Sequence, residues 1–278
     1  MSAALLYGLV VFSAIAHAAW NALVKSAGDR MLTMVAIRTT GMLFGLAALP
    51  FVDWPAPESW KWLAVTALVM FAYYALLVRS YGVGDMSVVY PLARGLAPVL
   101  TTIAAFVAIG EALSATQVAA VALISLGIMV LSLAAGASRT AVGFALATGV
   151  VVATYSFFAG LGVRAAGTVL GFQAWLEVVT GFGTFCYGVV VRRADVVDYA
   201  RRHGLTGFAA GAVSVLGFLA FLVAATSLPL GPVSAVRETS VIFGAVLGTL
   251  VLKEGFGPRR IAAAIMVTVG IVLLAVVR

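Results

Sequence analysis

Long apolar runs broken by short polar stretches make up most of the chain. Taken in turn, they predict helices near 3–24, 32–52, 60–79, 86–109, 115–136, 140–163, 169–191, 205–227, 231–252 and 259–277. Each is close to the about 20 residues a helix needs to cross a hydrocarbon core about 30 Å thick. Asp53-Trp54-Pro55-Ala56-Pro57-Glu58 ends the second run, and the stretch from Arg192 to His203 is the one long polar interval. Residues 204–236 contain no charge and are too long for a single crossing; Ser227-Leu228-Pro229-Leu230-Gly231-Pro232 divides them. The expected fold class is therefore all-α and polytopic, with ten transmembrane helices.

An internal repeat organises these helices. Sliding the chain by 143 residues lays Arg94 on Arg237, Glu111 on Glu254, Gly127 on Gly270 and Ile128 on Ile271. A shift of 139 lays Lys25 on Arg164 and Gly28 on Gly167. Two copies result, residues 1–138 and 139–278, with five helices each. An odd number of crossings forces the second copy to lie inverted relative to the first, an architecture of many secondary transporters. The expectation is two inverted five-helix repeats around a central cavity.

Composition narrows the class. Of the 278 residues, 63% are hydrophobic and 10% charged, against about 45–50% and about 25% in soluble domains, which excludes a soluble globule. The net charge of +7 is accounted for by topology rather than by nucleic acid. Lys25, Arg30, Arg79, Arg139, Arg192, Arg193, Arg201, Arg202, Lys253, Arg259 and Arg260 collect on one side, against Lys61, Arg164 and Arg278 on the other. The positive-inside rule then places both termini on the extracytoplasmic side of the cytoplasmic (inner) membrane. Met1-Ser2-Ala3-Ala4 lacks a positive n-region, so the first span is expected to be retained. Cys186, the single cysteine, excludes an internal disulfide or a thiolate metal site.

Charges inside membrane helices are costly unless they face protein or water. Arg94 stands about eight residues into its helix, about 12 Å deep at about 1.5 Å per residue. Arg237 is its counterpart in the second copy and Glu238 follows it; Arg38 and Glu177 are the other interior charges. One reading is structural ion pairing, Arg38 with Glu238 or Arg94 with Glu177. The other is contact with substrate: three arginines against two carboxylates leave one positive charge in excess, which suits an anionic or zwitterionic ligand gripped by a bidentate guanidinium. His17 and Asn21 share one stripe of the first helix with Trp20 beside it. Tyr73, Tyr74, Tyr90, Tyr155, Ser156 and Trp175 add rings and hydroxyls to the candidate substrate site. The fifth and tenth helices have few polar groups and suit a lipid-facing or subunit-facing place.

Enzymatic readings find little support. All five Asp fall in or near loops, where an intramembrane aspartyl protease needs them inside helices. H-E-x-x-H, G-x-S-x-G and P-loop motifs are absent, so no metal, no cofactor and no direct use of ATP is expected.

Several segments carry a family resemblance: His17-Ala18-Ala19-Trp20-Asn21-Ala22-Leu23-Val24-Lys25, Val89-Tyr90-Pro91-Leu92-Ala93-Arg94-Gly95 with Pro98, Gly110-Glu111-Ala112-Leu113-Ser114 with Gly127, and Lys253-Glu254 with Gly270. Over essentially its whole length the chain resembles the EamA family of the drug/metabolite transporter superfamily. The resemblance implies a bundle in which helices one to four and six to nine enclose a cavity and the fifth and tenth are peripheral. Similar members include YddG-type amino acid exporters. One departure is Val241, which stands where Pro98 has its counterpart. The expected function is a secondary transporter, monomer or homodimer, exporting amino acids or similar zwitterions by alternating access. A carrier of another small metabolite or drug-like compound, or a nontransporting membrane scaffold, is the alternative.

Overall fold

The computed structural model describes residues 1–83, 86–131, 139–244, 246 and 258–276. Lys253, Glu254 and Arg278 lie outside the described residues, as do the side chains of Lys25 and Tyr90. Nine α-helices occur among the described residues: α1 Ala3–Ser26, α2 Arg30–Ala48, α3 Trp60–Val83, α4 Met86–Ile109, α5 Ala115–Val130, α6 Arg139–Ala166, α7 Val169–Ala225, α8 Leu230–Glu238 and α9 Pro258–Val276. Six helical segments are long and apolar enough to cross a membrane.

Local chemistry sets the helix ends. The orphan amides of a first turn need acceptors; Ser2 supplies one to Leu5, Asp29 one to Leu32 and Thr168 one to Gly171. Ser114 and Gln117 cap α5 reciprocally. Gly110 and Gly167 stop α4 and α6 with φ of 66° and 70°, a backbone region costly for residues with a Cβ. Pro91 and Pro98 lie inside α4. Pro98 has no amide to offer the Arg94 carbonyl four residues earlier, so that carbonyl loses its helical partner.

One expectation is corrected here. The polar interval from Arg192 to His203 is helical rather than a loop, so the predicted seventh and eighth helices meet at a kink instead of being joined by an irregular segment; the two together are α7. Ion pairs from Arg192 to Asp195 and from Asp198 to Arg202 link its turns, and it contains no Gly or Pro. Arg192, at φ −139° and ψ 43°, breaks the helical path and separates arms 169–191 and 193–225. The arms lie side by side, since Gln173 in the first donates to the Val215 carbonyl in the second at 2.7 Å.

Both arms pack on α2 through small residues, which allow close approach in membranes. A Cβ at Gly41 or Gly45 would strike Glu177 or Ala174, and one at Gly207 or Gly211 would strike Ala36 or Thr40. α3 and α4 pack on α6, and α4 also meets α8 and α5. α5 and α9 pack on each other reciprocally: Gly127 lies against Ala263 and Val267, while Gly270 lies against Ala120 and Ile124. These are the same contacts with the copies exchanged under the 143-residue offset. Leu68, Phe106, Leu126, Phe182 and Ile265 are exposed on the outer surface, as a lipid-facing wall requires.

Candidate functional site

The polar residues of the interior converge where α1, α2, α3, α6, the second arm of α7 and α8 meet. Arg94 is fully buried and engaged. Its guanidinium donates to Glu238 at 2.6 Å, to His17 Nε2 at 2.6 Å and to the Tyr73 hydroxyl at 2.8 Å. A guanidinium has no acceptor, so His17 accepts through Nε2 and, as a neutral ring, carries its hydrogen on Nδ1.

Arg38 is paired differently. It donates to the Glu177 carboxylate and, at 2.8 Å, to the Thr180 hydroxyl, and stands 5.4 Å from the Tyr74 ring centroid. The expected pairings, Arg38 with Glu238 and Arg94 with Glu177, are therefore exchanged. Helix packing is the reason: Gly41 and Gly45 bring α2 onto the Glu177 turn of α7, while α4 lies against α8, which carries Glu238.

Arg237 is the excess charge. Among the described residues it has no carboxylate partner. Nη1 reaches the Tyr155 hydroxyl at 3.1 Å and Ser156 at 3.5 Å, and Nε is buried without a hydrogen-bond partner. The rings of Phe221, Phe218 and Tyr155 surround it at 4.6, 5.3 and 5.4 Å. The two copies thus differ at equivalent positions. His17 and Ser156 correspond under the 139-residue offset and Arg94 and Arg237 under the 143-residue offset, yet among the described residues only the first copy's arginine has a carboxylate.

These groups border a central cavity of about 30 Å³ lined by His17, Trp20, Arg38, Tyr73, Tyr74, Tyr155 and Arg237. Ser13, Met34, Ile37, Met70, Ser214, Gly217 and Phe218 complete the wall. Its size suits water rather than an organic solute, so the helices have to part to admit one. Glu177 and Glu238 stand behind the wall. Asn21 is buried and donates to the His17 carbonyl within α1. Tyr90 is carried on α4, one turn before Arg94. Trp175 does not join the site: it packs with Trp54 and Trp60 at 4.9 and 5.2 Å, because two residues before Glu177 is about 200° around the helix.

Of the wall residues not singled out in the sequence, Ser13 has a signal, one turn before His17 on the same stripe. Phe218 and Ser214 repeat at helical spacing within an uninterrupted apolar run, where nothing marks them.

Above the cavity, along the same groove of α1, α2 and the second arm of α7, lies a vestibule of about 560 Å³ lined by residues including Asp29, Thr33, Arg192, Asp198, Tyr199 and His203. The opposite end is joined by Arg164, which donates to Glu111 at 3.0 Å and to the Ala225 and Leu228 carbonyls at 2.8 Å. Glu111 in turn accepts the Leu230 amide at 2.7 Å.

The sequence profile of the EamA-like transporter family matches residues 4–133 and again 139–276. A solved crystal structure superposes with a TM-score of 0.74 over 99% of this chain and 99% of its own, at 15% identity; at that identity the likeness is one of fold. Among curated proteins, none matches the chain.

Proposed function

Because the chain belongs to the EamA-like transporter family and is a multi-pass membrane transporter of small compounds, we propose that it exports amino acids or similar zwitterionic metabolites by alternating access. The observation that carries this reading is Arg237, a guanidinium on the wall of a central cavity with no carboxylate partner among the described residues. A charge placed there needs an anion to complete it, and a substrate carboxylate matches the planar donor fork.

Other features support the rest of the proposal. The arms 169–191 and 193–225 have room for one crossing each, which fits ten transmembrane helices. The reciprocal contacts of Gly127 and Gly270, and the Arg38–Glu177 pair at positions equivalent under the 139-residue offset, suit inverted repeats 1–138 and 139–278 related by a pseudo-two-fold axis. The vestibule on one side and the Glu111–Arg164 cluster on the other suit a cavity open to one face at a time. The excess of Lys and Arg favours a cytoplasmic vestibule, extracytoplasmic termini and a place in the inner membrane. His17, Trp20, Tyr73, Tyr74, Tyr155, Ser156 and Arg237 are the substrate contacts of this reading, while Glu177 holds Arg38 and Glu238 holds Arg94.

Radiolabelled amino acids and other small metabolites presented to proteoliposomes, with and without a pH gradient, test the proposal. Saturable flux of an amino acid is expected. Saturable flux of other metabolites alone favours the broader carrier reading, and no flux of any compound contradicts transport.

A further inference from the structure

Resting on the reading of Arg237 as the substrate contact, we infer that the site recognises the carboxylate alone, so that small apolar monocarboxylates without an amino group occupy it at least as well as amino acids do. Among the described residues, the charges facing the cavity are of one sign. Arg38 and Arg237 line it, whereas Glu177 and Glu238 do not. Glu177 is held by Arg38, and Glu238 faces Arg94 with no exposure.

The neutral acceptors are largely committed as well. Arg94 donates to His17 Nε2 and to the Tyr73 hydroxyl, and Arg237 donates to the Tyr155 hydroxyl. The Tyr74 hydroxyl is buried without a partner, and Ser13 and Ser214 add hydroxyls to the wall. An ammonium in the cavity therefore meets hydroxyls and ring faces but no carboxylate, in surroundings where a charge without a counter-charge is expensive. A carboxylate on Arg237 neutralises the interior instead: three arginines are then balanced by Glu177, Glu238 and the ligand. The remaining wall, Trp20, Met34, Ile37, Met70 and Phe218, is apolar and suits an aromatic or branched body once the helices part to admit it.

The test is binding, not flux, so that it stands apart from the transport assay above. Purified full-length protein is melted in the presence of 3-phenylpropionate, L-phenylalanine or 2-phenylethylamine, three compounds with one body and different charged groups. The acid is expected to raise the melting temperature at concentrations no higher than the amino acid requires. The amine is expected to bind roughly tenfold to a hundredfold more weakly, having lost the charge-assisted contact. Arg237→Gln, which shortens no helix and leaves both buried ion pairs in place, is expected to abolish the shift by the acid. An amine that binds as well as the acid, a shift by the acid that survives Arg237→Gln, or no shift with any of the three overturns the inference. An amino acid that is transported while the acid neither binds nor competes overturns this inference and leaves the transport reading standing.

Discussion

Arg94 and Glu238 form an ion pair at 2.6 Å in which neither side chain is exposed, while Arg237, the residue next to Glu238 in sequence, has no carboxylate partner among the described residues. Two equivalent positions of a repeated sequence thus carry different burdens. Arg94 ties α4 to α8, and Arg237 faces the cavity.

The buried pair makes its own prediction. Removing one partner of such a pair strands the other charge, at a cost of about 3–5 kcal/mol. Glu238→Gln and Arg94→Met should each lower the melting temperature of purified protein by many degrees, and Arg94→Met with Glu238→Leu should lose less than the two single changes added. Strict additivity would mean that the pair contributes no coupling.

Gly41 gives a sharper test of the second pair. A Cβ at this position meets the Glu177 carboxylate, whereas one at Gly8 meets nothing within 4 Å. Gly41→Ala should destabilise by about 1–3 kcal/mol through overpacking. Gly8→Ala should be neutral or stabilising, because Ala favours a helix interior. Thermal unfolding of both variants side by side checks the contrast.

The α5–α9 contact predicts symmetry of effect. Gly127 and Gly270 each face the other helix, so Gly127→Leu and Gly270→Leu should destabilise to a similar degree, about 1–3 kcal/mol. A large loss from one and none from the other, read by the same melting assay, would show that the reciprocity has no energetic counterpart.

At the end opposite the vestibule, Glu111→Gln retains an oxygen that can accept the Leu230 amide, while Arg164→Ala removes three hydrogen bonds together. The ion pair itself is partly solvated, with side-chain exposures of 27% and 15%, and contributes about 1 kcal/mol or less. Hydrogen exchange at residues 226–230 should therefore accelerate strongly in Arg164→Ala and only slightly in Glu111→Gln.

Much of this arrangement was legible in the amino-acid order, because charges are rare in membrane helices and each one narrows the choices. The offset of Arg94 to Arg237 pointed to the repeat, and the count of interior arginines against carboxylates foretold one unmatched guanidinium. Which arginine it was, and which carboxylate each of the others takes, depended on helix packing. Gly41 and Gly45 decide that Glu177 meets Arg38, and such small-residue spacings recur elsewhere in the chain without that consequence. Trp175 looked like a cavity residue by type, but its helical phase turns it toward Trp54 and Trp60. The polar stretch at 192–203 read as a loop from its charge, whereas its i,i+3 and i,i+4 ion pairs and the lack of Gly and Pro within it suit a helix.

The central claim, that Arg237 holds the carboxylate of a transported substrate, is tested most directly by concentration-dependent flux of a radiolabelled amino acid in proteoliposomes bearing wild type or Arg237→Lys, with melting temperature measured on the same preparations. An ammonium keeps the charge but not the planar fork. The account predicts a melting temperature close to wild type with an apparent KM raised roughly tenfold to a hundredfold. An Arg237→Lys protein that is stable and transports with an unchanged KM would contradict it.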